Sequence, residues 1–133
     1  EDEALAALDQ GDYVTAEAAY RRLIARKPTD TYAKLGLAQV QLLARTHGLD
    51  AAKIMEDAIK SPDDIELQIQ CADVEVMSGY LEPAFERLLR LLVIFDGDEQ
   101  KRIKERLLEL FALVDPADPR VMKARTQLAN TLF

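Results

Sequence analysis

A chain of 133 residues falls within the size of one domain, and 49% hydrophobic residues are enough to build a core. The net charge of −7 disfavours nucleic acid as a partner, because phosphate contacts need a basic face. A single cysteine excludes a disulfide framework and fits a reducing compartment, and no run of about 18 apolar residues offers a membrane span.

The charge is uneven. Residues 1–99 carry ten Lys/Arg against twenty Asp/Glu, whereas residues 100–133 carry seven against four. The start, Glu1-Asp2-Glu3, is acidic and unlike a signal or transit peptide. It enters a helix without a cap or a methionine, and is read as a cut inside a longer protein.

Long apolar-periodic runs with few glycines and prolines predict an all-helical chain. Residues 1–10 form a first helix with Leu5 and Leu8 as its apolar face. Gly11 turns the chain, and residues 12–27 form the partner helix. There Ala16, Tyr20 and Leu23 share one face, and Pro28 ends the helix. Thr29 or Asp30 caps the next helix, over residues 31–45, with Leu35, Leu37, Ala38, Val40, Leu42 and Leu43 as its apolar residues. Gly36 lies inside that helix at a cost of about 1 kcal/mol, which marks it as a point where a neighbouring helix crosses.

Thr46 to Leu49 form a loop, and Asp50 caps a helix over 51–60. Ala51, Met55 and Ala58 repeat the spacing of Ala16, Tyr20 and Leu23. Ser61-Pro62-Asp63-Asp64 ends that helix and caps the next, over 64–78. Gly79-Tyr80 turns again, and Ala84, Leu88 and Leu91 give a third copy. Pro83 falls in the first turn of its helix, where a missing N–H is harmless. Residues 99–113 form an amphipathic helix with Ile103, Leu107, Leu110, Phe111 and Val114 inward and Lys101, Arg102, Lys104 and Arg106 outward. Asp115-Pro116-Ala117-Asp118-Pro119 is a rigid break with Asp118 as cap. The last helix, 119–132, buries Val121, Ala124, Leu128 and Leu132.

Glycine at 11, alanine at 16, an aromatic at 20 and proline at 28 resemble the second half of a tetratricopeptide repeat, a helix–turn–helix unit of about 34 residues. The expected fold is therefore all-α: tetratricopeptide-like antiparallel helix pairs in a short right-handed superhelix, closed by a C-terminal capping helix pair. The expected division is residues 1–28 as a first repeat with a truncated first helix, 29–62 as a second, 63–97 as a third, and 98–133 as the cap that a solenoid end requires.

The whole chain also resembles the C-terminal half of the YbbN-type co-chaperones, or chaperedoxins. These join an N-terminal thioredoxin-like domain to a small tetratricopeptide domain. The matching residues are Gly11-Asp12-Tyr13 with Ala16 and Tyr20, then Ala33-Lys34-Leu35-Gly36-Leu37-Ala38-Gln39-Val40 and Leu42-Leu43-Ala44-Arg45-Thr46. Phe95-Asp96-Gly97-Asp98 follows, and then the tail Leu110-Phe111, Asp115-Pro116, Asp118-Pro119, Arg125 and Leu128-Ala129. The resemblance implies a cytoplasmic protein that holds client chains and passes them to the chaperonin or to the Hsp70 system. A thioredoxin-like domain is expected upstream, and redox chemistry would belong there.

No nucleophile–base pair can be assembled, so no enzyme activity, cofactor or metal is expected. One histidine, His47, cannot make a metal site and is read as a loop residue. Cys71 shares a helical face with Leu67 and Val74 and is read as a buried structural thiol; Asp73 and Glu75 oppose thiolate formation. Asp63-Asp64 and Asp96/Asp98 are read as helix caps.

In tetratricopeptide arrays the first helix of each pair lines the concave face. By alignment to that pattern the groove takes Ala33, Leu37 and Val40 from one copy and Glu66, Ile69, Asp73 and Val76 from the next. Lys34 at its edge, with no Arg or Asn, argues against a clamp for a C-terminal carboxylate. A partly apolar, acid-rimmed groove suits an amphipathic or apolar client segment with basic flanks, unless the protein's own last helices fill it. A second candidate surface is the last helix, through Arg125, Leu128, Leu132 and Phe133, acting either as a cap or as a contact. The expected partners are the chaperonin, Hsp70 or unfolded clients, with no nucleic acid and no membrane, and the chain is a monomer or weak homodimer. The alternative is a structural or dimerisation module that supports a neighbouring redox domain.

Overall fold

Helix ends in this chain are written by aspartates. Asp12, Asp30, Asp50 and Asp64 each stand just before a helix, and each side chain accepts the backbone N–H three residues on. This satisfies one of the amides that a helix start leaves without a partner. Asp30 takes the role that Thr29 could have filled. Asp30 and Asp64 lie 34 residues apart, the tetratricopeptide period. Asp96 also stands at a helix start, but its side chain makes no capping hydrogen bond.

The computed structural model describes residues 2–132, and these are all-helical apart from turns. The helices are α1 (Asp2–Asp9), α2 (Tyr13–Arg26), α3 (Thr31–Thr46), α4 (Ala51–Lys60), α5 (Ile65–Met77), α6 (Leu81–Ile94), α7 (Gly97–Phe111) and α8 (Pro119–Leu132). They fall into two compact units, one ending at His47 and the other beginning at Gly48.

The first unit holds α1, α2 and α3, with α2 packed on both others. The turn from α1 to α2 closes by two backbone bonds, from Asp12 N to Ala7 O and from Gly11 N to Leu8 O, with Gly11 at a φ of +71°. The turn from α5 to α6 repeats the arrangement, from Tyr80 N to Glu75 O and from Gly79 N to Val76 O, with Gly79 at +89°. Both are helix C-terminal motifs in which only glycine takes the left-handed position without strain. The inward face of α1 is not Leu5 and Leu8 as the spacing suggested. Ala4 and Ala7 are buried, Leu5 is 46% exposed and Leu8 packs at the margin. Ala16 and Ala19 of α2 join them, so the two helices meet through alanines, which allow a closer approach than leucines would. Tyr20 fills the space between α2 and α3, with its ring against Gly36.

In the second unit α5 packs on α4 and pairs with α6. Helix α7 lies across both α5 and α6, and α8 packs on α6. Phe85 of α6 meets Phe111 of α7 edge to face, with ring centroids 5.0 Å apart. Leu88, Leu91 and Leu92 of α6 and Ile103, Leu107 and Leu110 of α7 are fully buried around them. The expected outward set of α7 needs one correction: Arg106 points inward, its side chain only 11% exposed and paired with the buried Asp73 of α5. A guanidinium in that position is tolerated because a carboxylate meets it.

Candidate functional site

The residues expected to line a groove are best taken unit by unit. In the first unit Ala33 and Val40 are fully buried in the cluster formed by Ala4, Ala7, Ala16, Ala19 and Tyr20. Leu37 packs against that cluster and keeps part of its surface. The exposed residues of α3 are others, among them Tyr32 and Lys34.

In the second unit the expected groove residues of α5 meet α7. Glu66 accepts two bonds from the Arg102 fork, at 3.1 Å from Nε and 2.8 Å from Nη2. One helical stretch further on, Asp73 accepts from Arg106 Nη1, and Arg106 Nε also lies 3.7 Å from the Glu109 carboxylate. Ile69, between the two acids, is buried, and Val76 is half-buried. The acid rim read from the sequence is therefore neutralised by two arginines of the same unit. Sequence reasoning had counted both as solvent residues. A signal was present: Arg102 and Arg106 stand four apart on one face of α7, and Glu66 and Asp73 stand seven apart on one face of α5.

Residues 44–133 match the family model described as tetratricopeptide repeat, which is more than half of the chain. The chain belongs to the tetratricopeptide repeat family. Tetratricopeptide domains are a protein-interaction fold. Similar curated proteins are an uncharacterized protein of Mycobacterium bovis and two of Mycobacterium tuberculosis. Each is 37% identical over 128 residues, covering 95% of this chain and 41% of the relative. The chain thus spans about two fifths of the length of the curated relatives it matches. No solved structure matches it.

At the C-terminal end of this tetratricopeptide domain, α8 turns Val121, Ala124 and Leu128 inward. Leu132 is half-buried, and the remaining residue of that candidate surface, Phe133, lies outside the described residues. Arg125 stays exposed, with its guanidinium over the Phe111 ring at 4.9 Å from the centroid. Along the seam of α6 and α8, Glu82 and Glu86 face Arg120 and Lys123 across a shallow cleft floored by Phe85 and Ala124. The seam continues past Gln127 to Val93 and Thr131, so the two helices run in the same direction.

The titrating groups outside these faces have structural surroundings. Cys71 is fully buried on α5, and burial, reinforced by the neighbouring Glu75 charge, pushes its thiol up to about 11. His47 ends α3, and its ring meets Tyr13 edge to face with centroids 5.5 Å apart. Among the described residues no cluster of His, Cys, Asp or Glu could hold a metal ion, and no helix is long and apolar enough to cross a membrane.

Proposed function

We propose that this chain is a non-catalytic protein-binding domain of a thioredoxin-like co-chaperone. It works in the cytoplasm, holds client polypeptides, and docks to the chaperonin or to the Hsp70 machinery. The observation that carries the reading is the tetratricopeptide match over residues 44–133. The residue-level resemblance to the YbbN-type proteins, through Gly36-Leu37-Ala38-Gln39 and the two Asp-Pro pairs, supplies the finer assignment. The curated relatives are more than twice as long as the matched stretch, which accommodates the thioredoxin-like domain that this reading places beside it. The proposed contact residues are those of the expected set that retain surface: Leu37, Glu66, Val76, Arg125 and Leu132. Ala33, Val40, Ile69, Asp73 and Leu128 support those faces from behind.

The test uses the purified chain, immobilised and offered chaperonin, Hsp70 and a chemically denatured client in separate runs. Capture of either machine, or slower aggregation of the client at equimolar ratio, is the expected result. Failure of all three, together with a mass that doubles as concentration rises, would replace the reading by a dimerisation module for a neighbouring domain.

A further inference from the structure

Helix α4 ends at Ser61-Pro62. Proline has no N–H, so the Ala58 carbonyl cannot receive the bond that an uninterrupted helix would give it from residue 62. Gln68, fully buried on α5, takes that place. Its Nε2 donates to Ala58 O at 2.8 Å and to Ser61 O at 2.9 Å. Its Oε1 accepts from Arg87 Nη1 of α6 at 2.6 Å. Glu75 of α5 holds the rest of the same guanidinium, at 2.8 Å from Nε and 3.3 Å from Nη2. Arg90, three residues along α6, donates to Pro62 O at 2.9 Å. The C-terminal end of α4 is thus fastened to α5 and α6 by a continuous run of polar contacts.

Apolar packing of α4 is thin by comparison. Its one fully buried residue is Ala58, whereas α6 buries six apolar residues. Ile59 is 78% exposed. Ile54 and Met55 are only half-buried, so α4 gains less from water exclusion than α6 does, and segments with few buried apolar contacts open first.

We propose that Gln68, Arg87 and Glu75 form a latch that holds α4 on its unit, and that α4 is released by local opening while α5 to α8 remain folded. Removing the Gln68 amide leaves the Ala58 carbonyl and one arginine N–H without their partner, while the Ser61 carbonyl keeps its bond from Asp64 N; at the buried Ala58 carbonyl the loss is felt in full. The Arg87–Glu75 pair survives the loss, which is why α5 and α6 stay joined.

The test is hydrogen exchange, read helix by helix by mass spectrometry, on the intact 133-residue chain and its Gln68→Met variant. Methionine matches the length of glutamine and cannot make the bonds. The expected result is that α4 amides exchange roughly 10- to 100-fold faster while α5 to α8 keep their protection. Unchanged exchange in α4, or equal acceleration in every helix of the unit, would overturn the latch. If Gln68→Met does not fold, Gln68→Glu serves. Its carboxylate can still accept from Arg87 but cannot donate to the Ala58 and Ser61 carbonyls, so the same selective acceleration is expected and its absence is equally decisive.

Discussion

Gly36→Ala tests the packing on which the first unit depends. An alanine Cβ at that position would lie 2.3 Å from Tyr20 Cε1, 2.4 Å from Cζ and 2.9 Å from Cδ1. Carbon atoms in contact sit about 3.5–4.0 Å apart, so the ring would have to retreat by more than about 1 Å. It has little room, being 3% exposed and part of the buried cluster that holds Ala4, Ala7, Ala16, Ala19, Ala33 and Val40. Overpacking of this kind costs about 1–3 kcal/mol. Against it stands the helix preference for alanine over glycine, about 1 kcal/mol. So large a displacement belongs to the upper part of that range, about 2–3 kcal/mol, so the clash wins and a net loss of roughly 1–2 kcal/mol is expected. Urea unfolding followed by circular dichroism at 222 nm reads this directly. The decisive comparison repeats the substitution in a Tyr20→Leu background. With the ring gone the clash disappears, and alanine should become neutral or stabilising by up to about 1 kcal/mol. A Gly36→Ala protein as stable as the parent, with Tyr20 in place, would refute the reasoning.

Four further outcomes are expected. Cys71 should react slowly with a thiol reagent in the native protein and quickly in denaturant, and rapid native labelling would contradict its burial. Because its thiol is raised to about 11, the folded state holds that proton more tightly than the unfolded chain, so this contribution to stability is present below about pH 9 and declines as pH rises towards 11. The Asp118 carboxyl, held down to about 2 by its hydrogen bonds from the Arg120 side chain and backbone, should titrate near there by NMR; Arg120→Ala should return it towards 3.8, and its stabilising effect in the parent should fade as pH drops from 3.8 to 2. Deleting residues 119–133 should lower the stability of the second unit by uncovering Phe85 and its neighbours on α6. A truncated protein that keeps its unfolding midpoint but loses partner capture would instead make α8 a contact surface.

Helix positions were legible because their signals are local. The caps at Asp30, Asp50 and Asp64, the two glycine turns and Pro119 at a first helical position act within a few residues of where they stand, whereas Asp12, expected inside its helix, proves to be its cap. Gly36 was legible for a related reason: a mid-helix glycine in a strong helix former asks for a crossing, and Tyr20 supplies it. The inward face of α1 was misread because hydrophobicity was given priority over size, whereas alanine at four positions set the spacing of α1 and α2. The surroundings of the expected groove are half legible: the charged rows on α5 and α7 show in the spacing, and their pairing does not. Glu66 and Arg102 stand 36 residues apart, and Asp73 and Arg106 stand 33 apart. No local rule decides which charged faces of an all-helical chain will meet.

Those pairings change what the charge asymmetry means. The excess of Lys/Arg after residue 100 suggests a basic end offered to an acidic partner. The structure instead commits the arginines of that end: Arg102 to Glu66, Arg106 to Asp73, Arg120 to Asp118 and Arg125 to the Phe111 ring. Two of these join α7 to α5, so the basic segment serves first to seat α7 on an acidic helix. The Glu66–Arg102 pair is exposed and contributes little, whereas the Asp73–Arg106 pair is nearly closed from water. Breaking the buried pair by removing one partner leaves a charge without compensation, so Arg106→Met is the more damaging change and Arg102→Met the milder. A protein partner drawn to this end by charge would then meet chiefly lysines, and the attraction would weaken as salt is added. Under the proposed client-holding role, selectivity would rest on the half-buried apolar residues Leu37, Val76 and Leu132, whose contacts salt does not screen.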